Sequence, residues 1–232
     1  MFNFYYKTET FSPAHPYSQF QKSDLLPLFT PPSFSRFKFI EILKHTMILK
    51  EGVRILTPKE YDAIRDAARR HYHQIMLDAA LYTGMRYIEL KRFQEHPEWF
   101  QKERRAIYLP PEAQLKKERK FKDRYVYLSN VGMYAVQYFL ALKERLPSIQ
   151  AWDRNLKRWA ERAGINPAGI SAKTMRKTWE SWLVVSFPDK VPLICMNQGH
   201  TEITSMNHYM QLPFSKAERE EIKERTAGWM GL

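Results

Sequence analysis

The sequence is poor in the residues that staple or anchor a chain. It has one cysteine, Cys195, which excludes an internal disulfide and a cysteine-rich zinc site. That cysteine lies in the apolar run VPLICMNQG, where a thiol behaves as a small buried hydrophobe. No stretch approaches the ~20 apolar residues that span a bilayer. The opening residues, MFNFYYKTETF, lack both a charged n-region and a continuous apolar h-region, so they do not form a signal peptide. A soluble intracellular protein is the expectation. Acidic side chains are also in deficit, 25 against 37 Lys and Arg, for a net charge of +12. Such an excess points to nucleic acid, an anionic membrane surface or a well-solvated exterior, and a polyanion partner is favoured.

At 232 residues the chain accommodates one full domain and an appendage. Residues 1–46 read as an irregular arm. They are dense in Phe, Tyr, Pro and Ser and have no glycine. Prolines at 13, 16, 27, 31 and 32 remove backbone donors and oppose regular structure. Residues 47–232 read as the main domain, with a helical tail over 213–232.

Regular structure is expected from RILTPKEYDAIRDAARRHY. There Thr57 is a good N-cap, Pro58 suits the first helical position and Glu60 completes a capping box. HQIMLDAALYTG predicts a mostly buried helix stopped near Gly84, and RYIELKRF opens another. RAIYL (105–109) and RYVYL (124–128) predict an antiparallel hairpin around the basic stretch PPEAQLKKERKFKD. SNVGMYAVQYFLALKERL and AWDRNLKRWAERAG carry apolar residues at i, i+3, i+4 and i+7, the second closing at Gly164. SAKTMRKTWESWLVV, the Cys195 segment, GHTEITSMNHYM and FSKAEREEIKER follow as helical segments, the last with a Ser215–Glu218 capping box. The fold class is therefore mainly α with a small antiparallel hairpin or sheet.

Four places carry chemistry. In TGMRYIEL a glycine turn puts the Arg86 guanidinium at the start of a helix, where backbone donors and the dipole also favour an anion. In SAKTMRKTW, Lys173, Arg176 and Glu180 share a face, opposite an apolar face that includes Met175 and Trp179. A solvated basic stripe and a phosphate clamp both fit that pattern. The hairpin packs Lys116, Lys117, Arg119, Lys120, Lys122 and Arg124 into nine residues, as a solvated loop or as a tip entering a DNA groove, where a lysine can donate a proton. The fourth place holds His200 and Tyr209. Tyrosine is a poor nucleophile at neutral pH because its hydroxyl titrates near ~10. Clustered positive charge favours the phenolate and stabilises the transition state of phosphoryl transfer.

Taken in order, these residues resemble the tyrosine recombinase (phage integrase) family. The pattern is an arginine in T-G-x-R-x-x-E-L (TGMRYIEL), a β-hairpin lysine, a box with His or Lys three residues before a second arginine (KTMR), a G-H (QGH) and a tyrosine nine residues further on. Coverage runs from about Arg54 to about Leu212, most of the family's catalytic domain. The resemblance implies that Arg86 and Arg176 clamp the scissile phosphate and that His200 assists in proton handling. It makes Tyr209 the nucleophile, forming a 3′-phosphotyrosyl link with no cofactor and no metal. It implies double-stranded DNA attachment sites as partners, a homo-tetramer on DNA, and a prokaryotic cytoplasmic or nucleoid location. Lys120 is the choice for the hairpin general acid, with Lys122 and Lys117 as alternatives. Lys116, Lys117, Arg119, Lys122, Arg124 and Lys177 are expected to contact DNA.

Two departures from the pattern stand out. Lys173 occupies the position where most of the family has His; archaeal virus and plasmid integrases often carry Lys there. The arm is also too short and irregular to be the family's N-terminal helical clamp domain. The expected function is site-specific cleavage and rejoining for integration or excision of a mobile element. The alternative is a truncated or split integrase that binds DNA without productive recombination. The tail is expected to dock either on its own domain or on a neighbouring protomer. One unbroken helix would separate His200 and Tyr209 by roughly 13 Å, so His200 is expected in a turn and Tyr209 on a short movable helix.

Overall fold

A computed structural model describes residues 47–114, 123–199 and 212–231, all within one unit, Leu43–Leu232. It opens with a two-stranded hairpin, β1 (Ile48–Lys50) and β2 (Val53–Ile55), ahead of the point where the sequence predicts regular structure. Helix α1 (Pro58–Ala67) then begins as its chemistry requires. The Thr57 hydroxyl accepts from the Glu60 N–H at 3.3 Å, and the Glu60 carboxylate accepts from the Thr57 N–H at 3.0 Å.

Helix α2 (His71–Thr83) is buried over most of its length and stops at Gly84, whose φ of 59° places it in the left-handed region. Glycine is required there twice over. A Cβ would sit 2.5 Å from Trp179 Cδ1, and the backbone conformation itself disfavours other residues. Helix α3 (Tyr87–Glu95) follows after a three-residue break. A three-stranded antiparallel sheet comes next, in the order β3 (Phe100–Gln101), β4 (Ala106–Leu109), β5 (Arg124–Tyr127). The β4–β5 register pairs Ala106 with Tyr127 and Leu109 with Arg124, so the expected hairpin is present.

Helix α4 (Asn130–Leu140) is shorter than its periodicity predicts. Residues beyond it are held by tertiary bonds instead: Gln94 donates to the Glu144 carbonyl and accepts from Leu146 N–H, and the Tyr87 hydroxyl donates to the Pro147 carbonyl. Pro147 also disfavours helical backbone at Leu146. Helix α5 (Ile149–Arg162) starts on a Ser148 cap, buries Trp152, Leu156 and Trp159, and is followed by Gly164 at a φ of 71°.

Helix α6 (Thr174–Ser186) is the central element. Trp179 and Trp182 are fully buried on it, edge-on to Tyr82 and Tyr61 respectively. Leu56, the residue after strand β2, is pinned to it twice, its N–H donating to Thr178 Oγ1 and its carbonyl accepting from Trp182 Nε1–H, both at 3.0 Å. Helix α7 (Val191–Gln198) carries the buried Cys195. Helix α8 (Lys216–Thr226) has the expected Ser215–Glu218 box.

The tail docks on its own domain. Phe214, Ile222 and Trp229 are buried, Trp229 stacks on Phe187, and Arg225 pairs with Asp62 of α1. Among the described residues, no helix is long and apolar enough to cross a membrane.

Candidate active site

The site is assembled where three segments meet: the turn between α2 and α3, the first turn of α6, and the end of α7. Arg86 caps the N-terminus of α3. Its backbone N–H donates to Glu89 Oε2 and its Nη1 to Glu89 Oε1, both at 2.8 Å. Its Nη2 donates to the Gly199 carbonyl at 3.2 Å. Arg176, on α6, donates from Nη1 to the Gly84 carbonyl at 2.9 Å and from Nη2 to the Gln198 carbonyl. Its Nε lies 2.9 Å from Glu180 Oε1, one helical turn on.

Arg124, one of the residues expected to contact DNA, is turned inward instead. It starts β5 with its side chain pointing inward and 7% exposed. Its Nη1 and Nη2 donate to the two oxygens of Glu89 at 3.3 and 2.8 Å, and its Nε donates to the Asn197 carbonyl at 3.0 Å. The strand's period of two explains the difference: Arg124 shares the core face with Val126.

Three consecutive carbonyls at the end of α7, those of Asn197, Gln198 and Gly199, therefore each accept from a different arginine. Cations complement the partial negative charge at a helix C-terminus. The arrangement places the three guanidinium groups around the residue that precedes His200.

Glu89 is the hub. It is fully buried, and each of its oxygens accepts two hydrogen bonds, which uses the acceptor capacity of a carboxylate. Burial alone would raise its pKa, but Arg124, Arg86 and Arg176 more than offset this and hold it at about 2. Burial lowers the pKa of Arg176, with Glu180 opposing, yet a guanidinium stays charged. Among the described residues, the three guanidinium groups of this cluster face the two carboxylates of Glu89 and Glu180, so the arginines outnumber the carboxylates. Arg86 is the most open of the three, its side chain 36% exposed against 10% for Arg176.

Lys173 lies exposed immediately before α6, three residues from Arg176. The face it was expected to share with Arg176 and Glu180 is not a solvated stripe, because Arg176 and Glu180 are buried and paired. Lys177 is half-buried and pairs with Glu51 in the β1–β2 turn. Lys50, on β1, has its pKa lowered chiefly by burial and feels Glu51, Lys177 and Glu180. Lys116, Lys117, Arg119, Lys120, Lys122, His200 and Tyr209 lie outside the described residues.

Glu89 and Glu180 are not among the residues that the sequence motifs single out for chemistry. Glu180 was signalled by its i, i+4 spacing from Arg176. Glu89 was signalled by its capping-box position, three residues after Arg86. Among the described residues, no three His, Cys, Asp or Glu side chains gather where they could hold a metal.

No protein-family model matches the sequence, and no curated protein matches it. The crystal structure of XerA recombinase is similar in fold, with a TM-score of 0.55 at 16% identity over 76% of this chain and 64% of that one. The chain thus spans less than two thirds of the XerA recombinase chain. With its mostly helical architecture and small antiparallel sheets, the chain has a fold like that of a tyrosine recombinase catalytic domain.

Proposed function

We propose that this protein is a site-specific DNA recombinase that cleaves and rejoins strands through a 3′-phosphotyrosyl intermediate, serving the integration or excision of a mobile element. The observation that carries the proposal is the pair Arg86 and Arg176, bonded to adjacent carbonyls at the end of α7 directly before His200. Two guanidinium groups so held suit the non-bridging oxygens of one phosphate.

In this reading the Tyr209 hydroxyl loses its proton, with His200 assisting, and its oxygen attacks phosphorus in line with the 5′-oxygen. The P–O5′ bond breaks as the P–O(Tyr) bond forms. The leaving 5′-oxygen takes a proton from a hairpin lysine, Lys120 in the first instance, with Lys122 and Lys117 as the alternatives. Arg86 and Arg176 stabilise the charge that builds on the pentacoordinate phosphorus. Lys173 keeps a positive charge beside the clamp. The phosphodiester energy is retained in the tyrosyl ester, so attack by a 5′-hydroxyl of a new strand reseals the backbone. Lys116, Lys117, Arg119, Lys122 and Lys177 supply contacts to the duplex, and four copies act together on paired attachment sites.

The test is covalent trapping. Duplexes with a randomised centre and a nick just 3′ of the cleavage window lose a short fragment after cleavage, which prevents religation. A protein–DNA adduct that disappears in Tyr209→Phe is the expected result. Salt-sensitive binding with no adduct would instead identify a fold relative that binds DNA without recombining.

A further inference from the structure

Of the three arginines gathered at the end of α7, one has no route to a phosphate. The Arg124 side chain is 7% exposed, against 36% for Arg86. Both of its terminal nitrogens are engaged by Glu89 and its Nε by the Asn197 carbonyl. We propose that Arg124 is a positioning residue of the clamp: it locks Glu89 of α3 to the end of α7, and so aims Arg86 and Arg176 without contacting the phosphate itself. The role in catalysis rests on the recombinase reading; the mechanical role does not.

The geometry carries the inference in three ways. Glu89 touches Arg86 through both its guanidinium and its backbone N–H, so whatever fixes the carboxylate fixes the first arginine. Arg124 spans both oxygens of that carboxylate with its terminal nitrogens and reaches a backbone carbonyl with Nε. A planar fork with donors on two edges can do this, and the single ammonium of lysine cannot. The end of α7 is tied to the same strand a second time by Asn197 Nδ2 donating to the Tyr125 carbonyl at 3.2 Å.

Packing points the same way. Gly199 has a φ of 66°, and a Cβ there would lie 3.1 Å from both Cδ and Nε of Arg124. A side chain at 199 would therefore press on Arg124 where it meets the end of α7. One carbonyl back, Arg176 bonds the Gln198 oxygen. The end of α7 is thus a common rail for both clamp arginines, and Arg124 holds that rail to α3.

The test compares the full-length protein with Arg124→Lys, which keeps the charge and removes the fork, and Gly199→Ala, which presses a Cβ against the fork, strains the backbone at 199 and keeps every charge. Three readouts separate the possibilities. Affinity for a random-sequence 30-bp duplex is measured against salt. A positioning residue leaves the slope of log K on log salt unchanged, whereas a phosphate contact lowers it by about one. Single-turnover trapping on the nicked duplex library should slow about 10²-fold at saturating DNA in both variants, with the dissociation constant unchanged, as misplacement of a positioned group predicts. Arginine Nε–H resonances are then followed during titration with inorganic phosphate. In the wild type the Arg86 and Arg176 signals should move and the Arg124 signal should stay. In Arg124→Lys the phosphate affinity should fall about tenfold.

A shallower salt slope in Arg124→Lys, or an Arg124 signal that follows phosphate in the wild type, overturns the inference. So does an unchanged phosphate affinity in folded Arg124→Lys. A wild type that gives no adduct while the phosphate results hold removes the recombinase reading and leaves the positioning role standing. Should Arg124→Lys fail to fold, the wild-type titration still decides: an Arg124 signal that follows phosphate overturns the inference on its own.

Discussion

Two groups of arginine–carboxylate pairs differ in what their charges are committed to. In one group Arg65 pairs with Asp78 and Arg225 with Asp62, one cation to one anion. These line a groove with Tyr61, Tyr82, Tyr134 and Tyr138. Arg65 binds both oxygens of Asp78, which also accepts from the Tyr61 hydroxyl at 2.6 Å, and Arg225 lies 5.6 Å from the centre of the Trp182 ring. The charges balance and the donors face side chains. At the end of α7 the arginines outnumber the carboxylates, and their spare donors are bonded to backbone carbonyls. The first group fastens helices to each other. The second holds a positive excess in place, as an anion site requires. Similar residues therefore serve different ends according to stoichiometry and burial.

The largest effect that would break this contrast is expected at Arg176. Arg176→Ala removes a clamp donor and leaves Glu180 buried without its main cation. Adduct formation should fall about 10²–10³-fold, and urea unfolding should show a loss of about 3–5 kcal/mol. A variant as stable as the wild type would contradict the pairing. Glu89→Gln comes next. It strands the buried Arg124 and releases Arg86, so a loss of similar size in stability is expected, with a smaller loss of trapping because both clamp arginines remain.

The third prediction concerns pH. The Glu89 pKa is depressed from an ordinary 4.5 to about 2. Its contribution is thus fully present above pH 4.5 and is lost as the pH falls towards about 2. Thermal melts across that window should drop more steeply for the wild type than for Glu89→Gln. Parallel curves would show that Glu89 is not held as the geometry indicates.

The smallest effect is expected in the outer group. Asp62 is about half-exposed, so Asp62→Asn should cost roughly 0.2–1 kcal/mol and leave trapping unchanged. A large loss of trapping there would erase the distinction between the two groups.

What could be read from the sequence follows the range of the forces involved. The caps at Thr57 and Ser215 and the glycine stops at Gly84 and Gly164 are settled within one turn of chain, and the structure has them. The β4–β5 hairpin was legible because its strands alternate. The β1–β2 hairpin was not, since three-residue strands carry too little periodicity and depend on their anchorage to α6. The length of α4 was overread because Gln94 and Tyr87, far away in sequence, capture the residues beyond it.

At the candidate site, the motif singles out Arg86 and Arg176, and the structure brings both to the end of α7. The sorting of the cations by burial was not legible, because a charge run offers no sign of which member faces inward until the strand register is considered. Counting by twos back from Val126 would have placed Arg124 in the core. That Glu89 gathers two arginines could not be read at all, since Arg124 lies 35 residues away.

The central claim is that the arginines at the end of α7 present a phosphate to Tyr209. Its most direct measurement is mass spectrometry of the trapped adduct after proteolysis and nuclease digestion. The account predicts a single modified peptide containing Tyr209, with the tyrosine oxygen esterified to a 3′-phosphate and a free 5′-hydroxyl on the released strand. An adduct on another residue, a 5′-phosphate link, or an adduct that survives Tyr209→Phe would contradict it.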